Sequence, residues 1–327
     1  MMNRRKSIGC VVRLAVFCVL AAVGVHAHAY ADNEPVSGLF QTPQSSTRLV
    51  SAVQGSGDLA TIPVALHILL QPGWKTYWRS PGDAGYPLQI DVSGSTNVAE
   101  AKIAWPVPHR FQLFGLQTFG YGEEVAFPVT VVPVTPGAPI SLNAKIRYLV
   151  CEQVCIPQDG DLTLDLPQGD ATPTTHAPLV NRFASLVPKS GERLGWSVER
   201  VAIDQQDQLV VDARSAGEVF SAPDVLVEGA SHFYFGPPKV ELSVDRRTAR
   251  LYVPVERLGK GGEVSESDLV LTLFDGDRGM EAIARPTPIL AAASISSWIA
   301  LLPVLGVALL GGLILNIMPC VLPVLLL

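Results

Sequence analysis

The sequence predicts a mainly β protein: two immunoglobulin-like β-sandwich domains followed by a transmembrane α-helix. Three observations predict it. Proline and glycine are plentiful, 26 and 28 residues, and fall between short apolar runs, the pattern of strands joined by turns. No amphipathic helical period competes with those runs. The last stretch, Ile289 to Leu327, holds no charged residue.

The 327 residues suffice for two ordinary domains. With 48% hydrophobic and 17% charged residues, the chain is too apolar for disorder. The formal charge is −6, and residues 1–31 carry Arg4, Arg5, Lys6 and Arg13 but no acid. Without them 20 basic residues face 30 acidic ones, a balance of −10. No basic stripe remains, which argues against nucleic acid as a partner.

Residues 1–31 read as a secretory signal peptide. Arg4-Arg5-Lys6 is the positive start, Ile8 to Val25 the apolar core, and Ala29-Tyr30-Ala31 a small-x-small cleavage site. Cleavage would start the mature chain at Asp32 and remove Cys10 and Cys18. Cys18 follows Val16-Phe17, not the small residues of a lipoprotein signal. The bulk of the protein is then expected outside the cytoplasm, in the periplasm of a Gram-negative cell, where a disulfide persists.

Residues 32–46 are polar and expected as a flexible lead-in. The first sandwich is expected over 47–167. Its alternation starts at Thr47, with Leu49, Ser51 and Val53 against Val50 and Ala52. Further strands are expected at Ile62–Leu70, Trp74–Trp78, Leu88–Val92, Lys102–Trp105, Val125–Val132, Ile140–Val150 and Leu162–Leu166, with a loop at Ser80–Gly85. Residues 168–194 read as a linker with a Pro/Thr-rich start and a short helix at Val180–Leu186. The second sandwich, 195–288, contains no cysteine. Its strands are expected at Ser197–Ile203, Gln208–Ala213, Val225–Glu228, His232–Phe235, Val240–Val244, Ala249–Val255, Leu269–Phe274 and Glu281–Ala284. Residues 289–327 read as the start of a membrane domain. Ile299 to Leu315 is about one bilayer crossing, and Pro303, Gly306, Gly311 and Gly312 are tolerated there. The apolar finish at Val324-Leu325-Leu326-Leu327 suggests a chain truncated inside a longer membrane domain.

Two of the five cysteines, Cys151 and Cys155, lie in Tyr148-Leu149-Val150-Cys151-Glu152-Gln153-Val154-Cys155-Ile156-Pro157. The C-x3-C spacing differs from the helix-opening C-x-x-C of thioredoxin, and Pro157 argues against a helix through Cys155. A hairpin is the simpler expectation: Cys151 ends one strand, Glu152-Gln153-Val154 turn, and Cys155 begins the return. Facing positions on a hairpin lie about 4.5–5.5 Å apart at Cα, within disulfide range. So short a loop adds little chain-entropy stabilisation, and an exposed one is open to thiolate attack. Three readings stay open on these residues: a dithiol/disulfide exchange site, a structural clip, and a soft-metal site with Cu(I) on Cys151 and Cys155. His67, His109, His176 and His232 are scattered, which weakens the metal reading.

Several motifs together resemble the DsbD family, in particular its ScsB-type members. They are Trp74-Lys75-Thr76-Tyr77-Trp78, Pro108-His109-Arg110-Phe111, Phe127-Pro128-Val129, and Tyr148-x2-Cys151-x3-Cys155-x-Pro157. Asn316-Ile317-Met318-Pro319-Cys320-Val321-Leu322-Pro323 is similar to the first helix of that family's electron-conducting membrane domain. The resemblance implies a protein-disulfide reductase. Reducing equivalents would pass from cytoplasmic thioredoxin through membrane cysteines to periplasmic thioredoxin-fold clients. It implies no cofactor beyond the cysteines themselves. Cys320 matches the first membrane cysteine, and Cys151 and Cys155 match the pair of the periplasmic sandwich. That pair is spaced more closely here than in the best-known members. By the same analogy Cys155 forms the mixed disulfide with the client.

In that family an aromatic cap loop covers the pair. Phe111-Gln112-Leu113-Phe114-Gly115 is the matching stretch, with Leu113, Phe114 and Gly115 at the tip and Phe119 and Tyr121 beyond. Tyr148, Glu152, Arg147 and Lys145 are candidates to tune the thiols. Trp74, Trp78 and Trp105 read as core.

Overall fold

Alternating apolar and polar residues become pleated layers in the computed structural model, which describes residues 34–113, 115–259, 262–289 and 296–317. The first region contains β1 (Phe40–Gln41), β2 (Ser45–Ser51), β3 (Ile62–Leu70), β4 (Lys75–Gly82), β5 (Gln89–Asp91), β6 (Val98–Ile103), β7 (His109–Leu113), β8 (Leu116–Gly122), β9 (Glu124–Pro133), β10 (Ile140–Cys151) and β11 (Cys155–Leu166). One sheet runs β1-β2-β3-β9-β6 and the facing one β11-β10-β4-β8-β7, with β5 also on β10. Their inner faces share one core that includes Leu49, Leu66, Trp78, Phe127, Leu142, Tyr148 and Leu164, each at most 1% exposed. Burial of each such side chain contributes about 1.5–3 kcal/mol.

The first region departs from expectation in several places. Residues expected as a flexible lead-in are held: Val36 bridges Val50, and the Ser37 amide donates to the Leu49 carbonyl at 3.0 Å. The strand expected at Lys102–Trp105 begins at Val98 and ends at Ile103. The stretch around the expected cap tip is a regular hairpin, β7–β8, whose Gly120 and Gly122 disguise it as loop. Finally, β11 runs unbroken from Cys155, where the return was expected to begin, through the strand expected at Leu162–Leu166. Its Pro157 is tolerated because β11 is the edge of its sheet.

A helix, α1 (Ala177–Ser185), follows. It starts earlier than expected, with Pro178 in its first turn. It buries Ala177, Val180 and Phe183, one face at a three-residue interval, in the first region's core. A 3-10 turn at Gly191–Leu194 leads into the second region.

That region contains β12 (Trp196–Ile203), β13 (Gln208–Ser215), β14 (Asp224–Glu228), β15 (Phe233–Phe235), β16 (Lys239–Leu242), β17 (Thr248–Arg257), β18 (Leu269–Asp275), β19 (Arg278–Ala284) and β20 (Thr287–Pro288). One sheet runs β15-β17-β13-β12-β20, with β16 also on β17, and the other β14-β18-β19. Leu209, Val211, Phe220, Leu251, Val253, Leu271 and Leu273 form its core.

The small sheet has two apolar faces. On β14, Val225 belongs to the second core, while its neighbour Leu226 is buried in the first. Phe274, paired with Asp224 on β18, joins the first core as well. Strand alternation therefore sends Asp224, Leu226 and Glu228 toward the first region. The two regions meet closely at Gly279: a Cβ there would fall 2.4 Å from Val107 Cγ2.

The apolar C-terminal stretch forms α2 (Ser296–Ile317), which has Pro303 within it and no charge. Its side chains are described over 302–313 alone. Among the described residues no helix is long and apolar enough to cross a membrane. Leu302, Val304, Leu305, Val307, Leu309 and Leu310 are exposed. The signal-like residues 1–31 and Cys320 lie outside the described residues.

Candidate functional site

The β10–β11 hairpin brings the two cysteines together. The pairing runs in register from Ile140↔Leu166 to Cys151↔Cys155, so the pair closes the last rung before the turn. Glu152, Gln153 and Val154 make that turn, with the Glu152 amide donating to the Val154 carbonyl at 3.2 Å. The sulfurs are bonded, with Cα atoms 4.2 Å apart. The two positions differ in access: Cys151 is 2% exposed, whereas Cys155 is exposed.

Three strands build the surroundings of Cys151. β4 lies next to β10 with Lys75 opposite Cys151, and β8 lies next to β4 with Gly120 opposite Tyr77. Strand alternation then places Lys75, Tyr77, Thr118, Gly120 and Phe111 on the sheet face that carries the cysteines, while Thr76, Trp78 and Tyr121 take the other. Tyr77 donates its hydroxyl to Cys151 Sγ at 3.0 Å and lies 3.8 Å from Cys155 Sγ. Its ring fits because Gly85 has no side chain: a Cβ would fall 2.4 Å from Tyr77 Cε1, and Gly85 also holds φ +102. Burial raises the Tyr77 phenol above its ordinary pKa, keeping it protonated and a donor. Phe111, with Lys75 Nζ 4.7 Å from its ring centroid, shares with Tyr77 and Cys151 a gap of 10 Å³. That is the lower limit for one water.

The expected site residues divide. Cys151 and Cys155 come together as a disulfide. Gly115 sits in the hairpin turn at φ +82, Leu113 ends β7, and Phe114 lies outside the described residues. Phe119 and Tyr121 are core residues of the first region, Tyr121 donating to the Pro106 carbonyl at 2.7 Å. Tyr148 points away from the sulfurs: its hydroxyl bonds Ser45 Oγ at 2.8 Å and Thr47 Oγ1 at 2.7 Å on the opposite sheet. Arg147 pairs with Asp159 at 2.6 Å. Trp78 is fully buried, and Trp74 and Trp105 pack on the same core. Sequence reasoning missed the contacts of Tyr77. They depend on β4 pairing with β10 across more than 70 residues, and a single sequence carries no local signal for that.

As for metal binding, no group of three or more His, Cys, Asp or Glu side chains converges among the described residues. Chemically, the site is a disulfide with one reachable sulfur and one buried sulfur beside a hydroxyl donor.

Residues 46–167 match the family described as thiol:disulfide interchange protein DsbD, N-terminal. Residues 186–288 match a domain of unknown function, DUF8393. Among solved structures, the N-terminal periplasmic domain of ScsB from Proteus mirabilis superposes with a TM-score of 0.62 at 23% identity, covering 78% of this chain and 99% of that one. At that identity the likeness speaks for the fold. No curated protein sequence matches the chain.

Proposed function

We propose, from the match of residues 46–167 to the DsbD N-terminal family, that Cys151 and Cys155 are the dithiol/disulfide exchange centre of this chain. The observation that carries the reading is the asymmetry of the pair: Cys155 is exposed, while Cys151 is buried and accepts a hydrogen bond from Tyr77.

A donor thiolate attacks Cys155 Sγ. The donor–Cys155 bond forms as the Cys155–Cys151 bond breaks, and Cys151 leaves as a thiolate toward the Tyr77 hydroxyl. The donor's second thiol then attacks the donor sulfur, closing the donor's own disulfide and releasing Cys155. Two electrons have moved onto the pair. In the forward direction Cys155 thiolate attacks a client disulfide, and Cys151 resolves the mixed disulfide, reforming the original bond. Tyr77 favours the thiolate of Cys151 in both steps.

In this reading the chain is the periplasmic part of a membrane protein-disulfide reductase built on two immunoglobulin-like sandwiches. Residues 1–31 are a cleaved signal peptide. The uncharged, apolar stretch from Ile289 enters the lipid bilayer of the inner membrane, and Cys320 takes part in the membrane relay from cytoplasmic thioredoxin. Clients are thioredoxin-fold proteins of the periplasm, and the cysteines are the redox centres without a further cofactor.

The test is a redox titration of the purified chain against a glutathione or dithiothreitol buffer, with metal content measured alongside. A potential in the range of exchange-active disulfides, with electron transfer from a reduced thioredoxin-fold protein, is expected. An inert, very negative disulfide would leave a structural clip instead. Tight Cu(I) binding without transfer would make the pair a metal site.

A further inference from the structure

The β7–β8 hairpin has two faces with different partners. Register places Phe111 opposite Thr118 on the cysteine side and Arg110 opposite Phe119 on the reverse. The reverse side is bonded to the second sandwich. Arg110 Nε donates to Asp224 Oδ2 and Nη2 to Asp224 Oδ1, both at 2.7 Å, and Nη2 also reaches the Val225 carbonyl at 3.1 Å. The same guanidinium bonds the Gln117 side chain and lies 4.9 Å from the Phe119 ring centroid. Gln117 Nε2 in turn donates to the Phe235 carbonyl at 3.2 Å.

These bonds matter because of where the hairpin sits. β7 is the free edge of its sheet and holds to it through β8. An edge hairpin with few neighbours opens at low cost. The polar contacts to the second sandwich therefore supply its second anchor. They are well formed: Arg110 and Asp224 side chains are 15% and 21% exposed and meet in a two-bond fork. β4, which carries Tyr77, is tied to the same small sheet by Arg79, whose Nη2 bonds Glu228 at 2.6 Å and Glu281 at 2.8 Å. Asp224 and Glu228 are two of the three β14 residues turned toward the first region.

We infer that the second sandwich is a brace that holds the β7–β8 hairpin, and with it Phe111, closed against Cys151, with Arg110–Asp224 as the latch. This rests on the pair being an exchange centre. The β14-β18-β19 sheet sets how often Phe111 lifts from Cys151, and hence how readily Cys151 leaves as a solvated thiolate when a thiol attacks the exposed Cys155. Arg110 and Asp224 are positioning residues; neither touches sulfur.

The experiment measures the second-order rate of reduction of Cys151–Cys155 by dithiothreitol in the full chain, for wild type, Asp224→Asn, Arg110→Met and the exchange variant Arg110→Asp/Asp224→Arg. Losing the latch should speed reduction roughly fivefold, the effect of about one partly exposed ion pair. The exchange variant should return the rate toward wild type. Hydrogen exchange of the amides in 109–122 gives a second readout, with protection falling in Asp224→Asn. A merely structural role would lower thermal stability without accelerating reduction. Equal rates and equal amide protection in wild type and both single variants would overturn the brace and leave the exchange reading standing. A wild-type disulfide that resists both dithiothreitol and a reduced thioredoxin-fold protein would overturn both.

Discussion

The two sandwiches use the same layers for different ends. In the first, β10 and β11 run twelve residues each and finish on the Cys151–Cys155 rung. In the second, no strand ends in a cysteine, and the small sheet spends one face on its own core and the other on its neighbour. Both faces of β14 can be buried because its outward positions alternate acid, apolar, acid: Asp224, Leu226, Glu228. The acids meet Arg110 and Arg79, and the leucine enters the first core. In the proposed reading, reactivity needs only a hairpin end, whereas control of that end needs a partner surface of matching charge.

The division breaks most completely at the sulfurs. Cys155→Ser should abolish exchange with any thiol donor while leaving the thermal unfolding of the second sandwich unchanged, as read by thiol quantification and calorimetry. Phe274→Ala attacks the shared core instead. Phe274 is 7% exposed and packed with the first region, so its truncation should cost about 3 kcal/mol. Denaturant titration should then show both regions losing stability; a loss confined to the second would mean that the cores are independent. Tyr77→Phe sharpens the account of the first sandwich. Removing one hydroxyl donor of about 1 kcal/mol should slow exchange about fivefold, with fold and thermal stability retained.

The smallest effect concerns pH. His67, 5% exposed, is held below its ordinary pKa by burial, only partly offset by Glu124 at 2.9 Å. A depressed histidine is neutral in the fold, so its contribution is fully present above about pH 6.5. As pH falls below that value the unfolded chain takes up the proton first, and stability declines until the folded pKa is passed. His67→Gln should flatten the dependence of Tm on pH between 7 and 5. An unaltered slope would assign the pH dependence to other groups.

How much of this was legible in the sequence follows the range of each interaction. The strand Ile62–Leu70 and the Glu152-Gln153-Val154 turn between two strands are local patterns of period and punctuation, and both are present as read. β7–β8 was hidden because Gly115, Gly120 and Gly122 look like loop, although Gly120 is what leaves room opposite Tyr77. The continuity of β11 from Cys155 to Leu162 was hidden by Pro157 and Gly160, which an edge strand accommodates. Tyr77 and Arg110 stand inside motifs that carry the resemblance, yet their roles and that of Asp224 have no local signal: each acquires its role from a partner more than 70 residues away. Tyr148 shows the converse, a residue next to Cys151 in sequence whose hydroxyl serves the opposite sheet.

The most direct test of the exchange centre is to trap its intermediate. Cys151→Ser and Cys155→Ser chains are each incubated with an oxidised thioredoxin-fold client, quenched in acid and resolved without reductant. Mass spectrometry of the adduct then locates the bond. The account predicts a stable mixed disulfide through Cys155 in the Cys151→Ser chain and little or none in the Cys155→Ser chain. Equal trapping through Cys151, or no adduct in either, would contradict it.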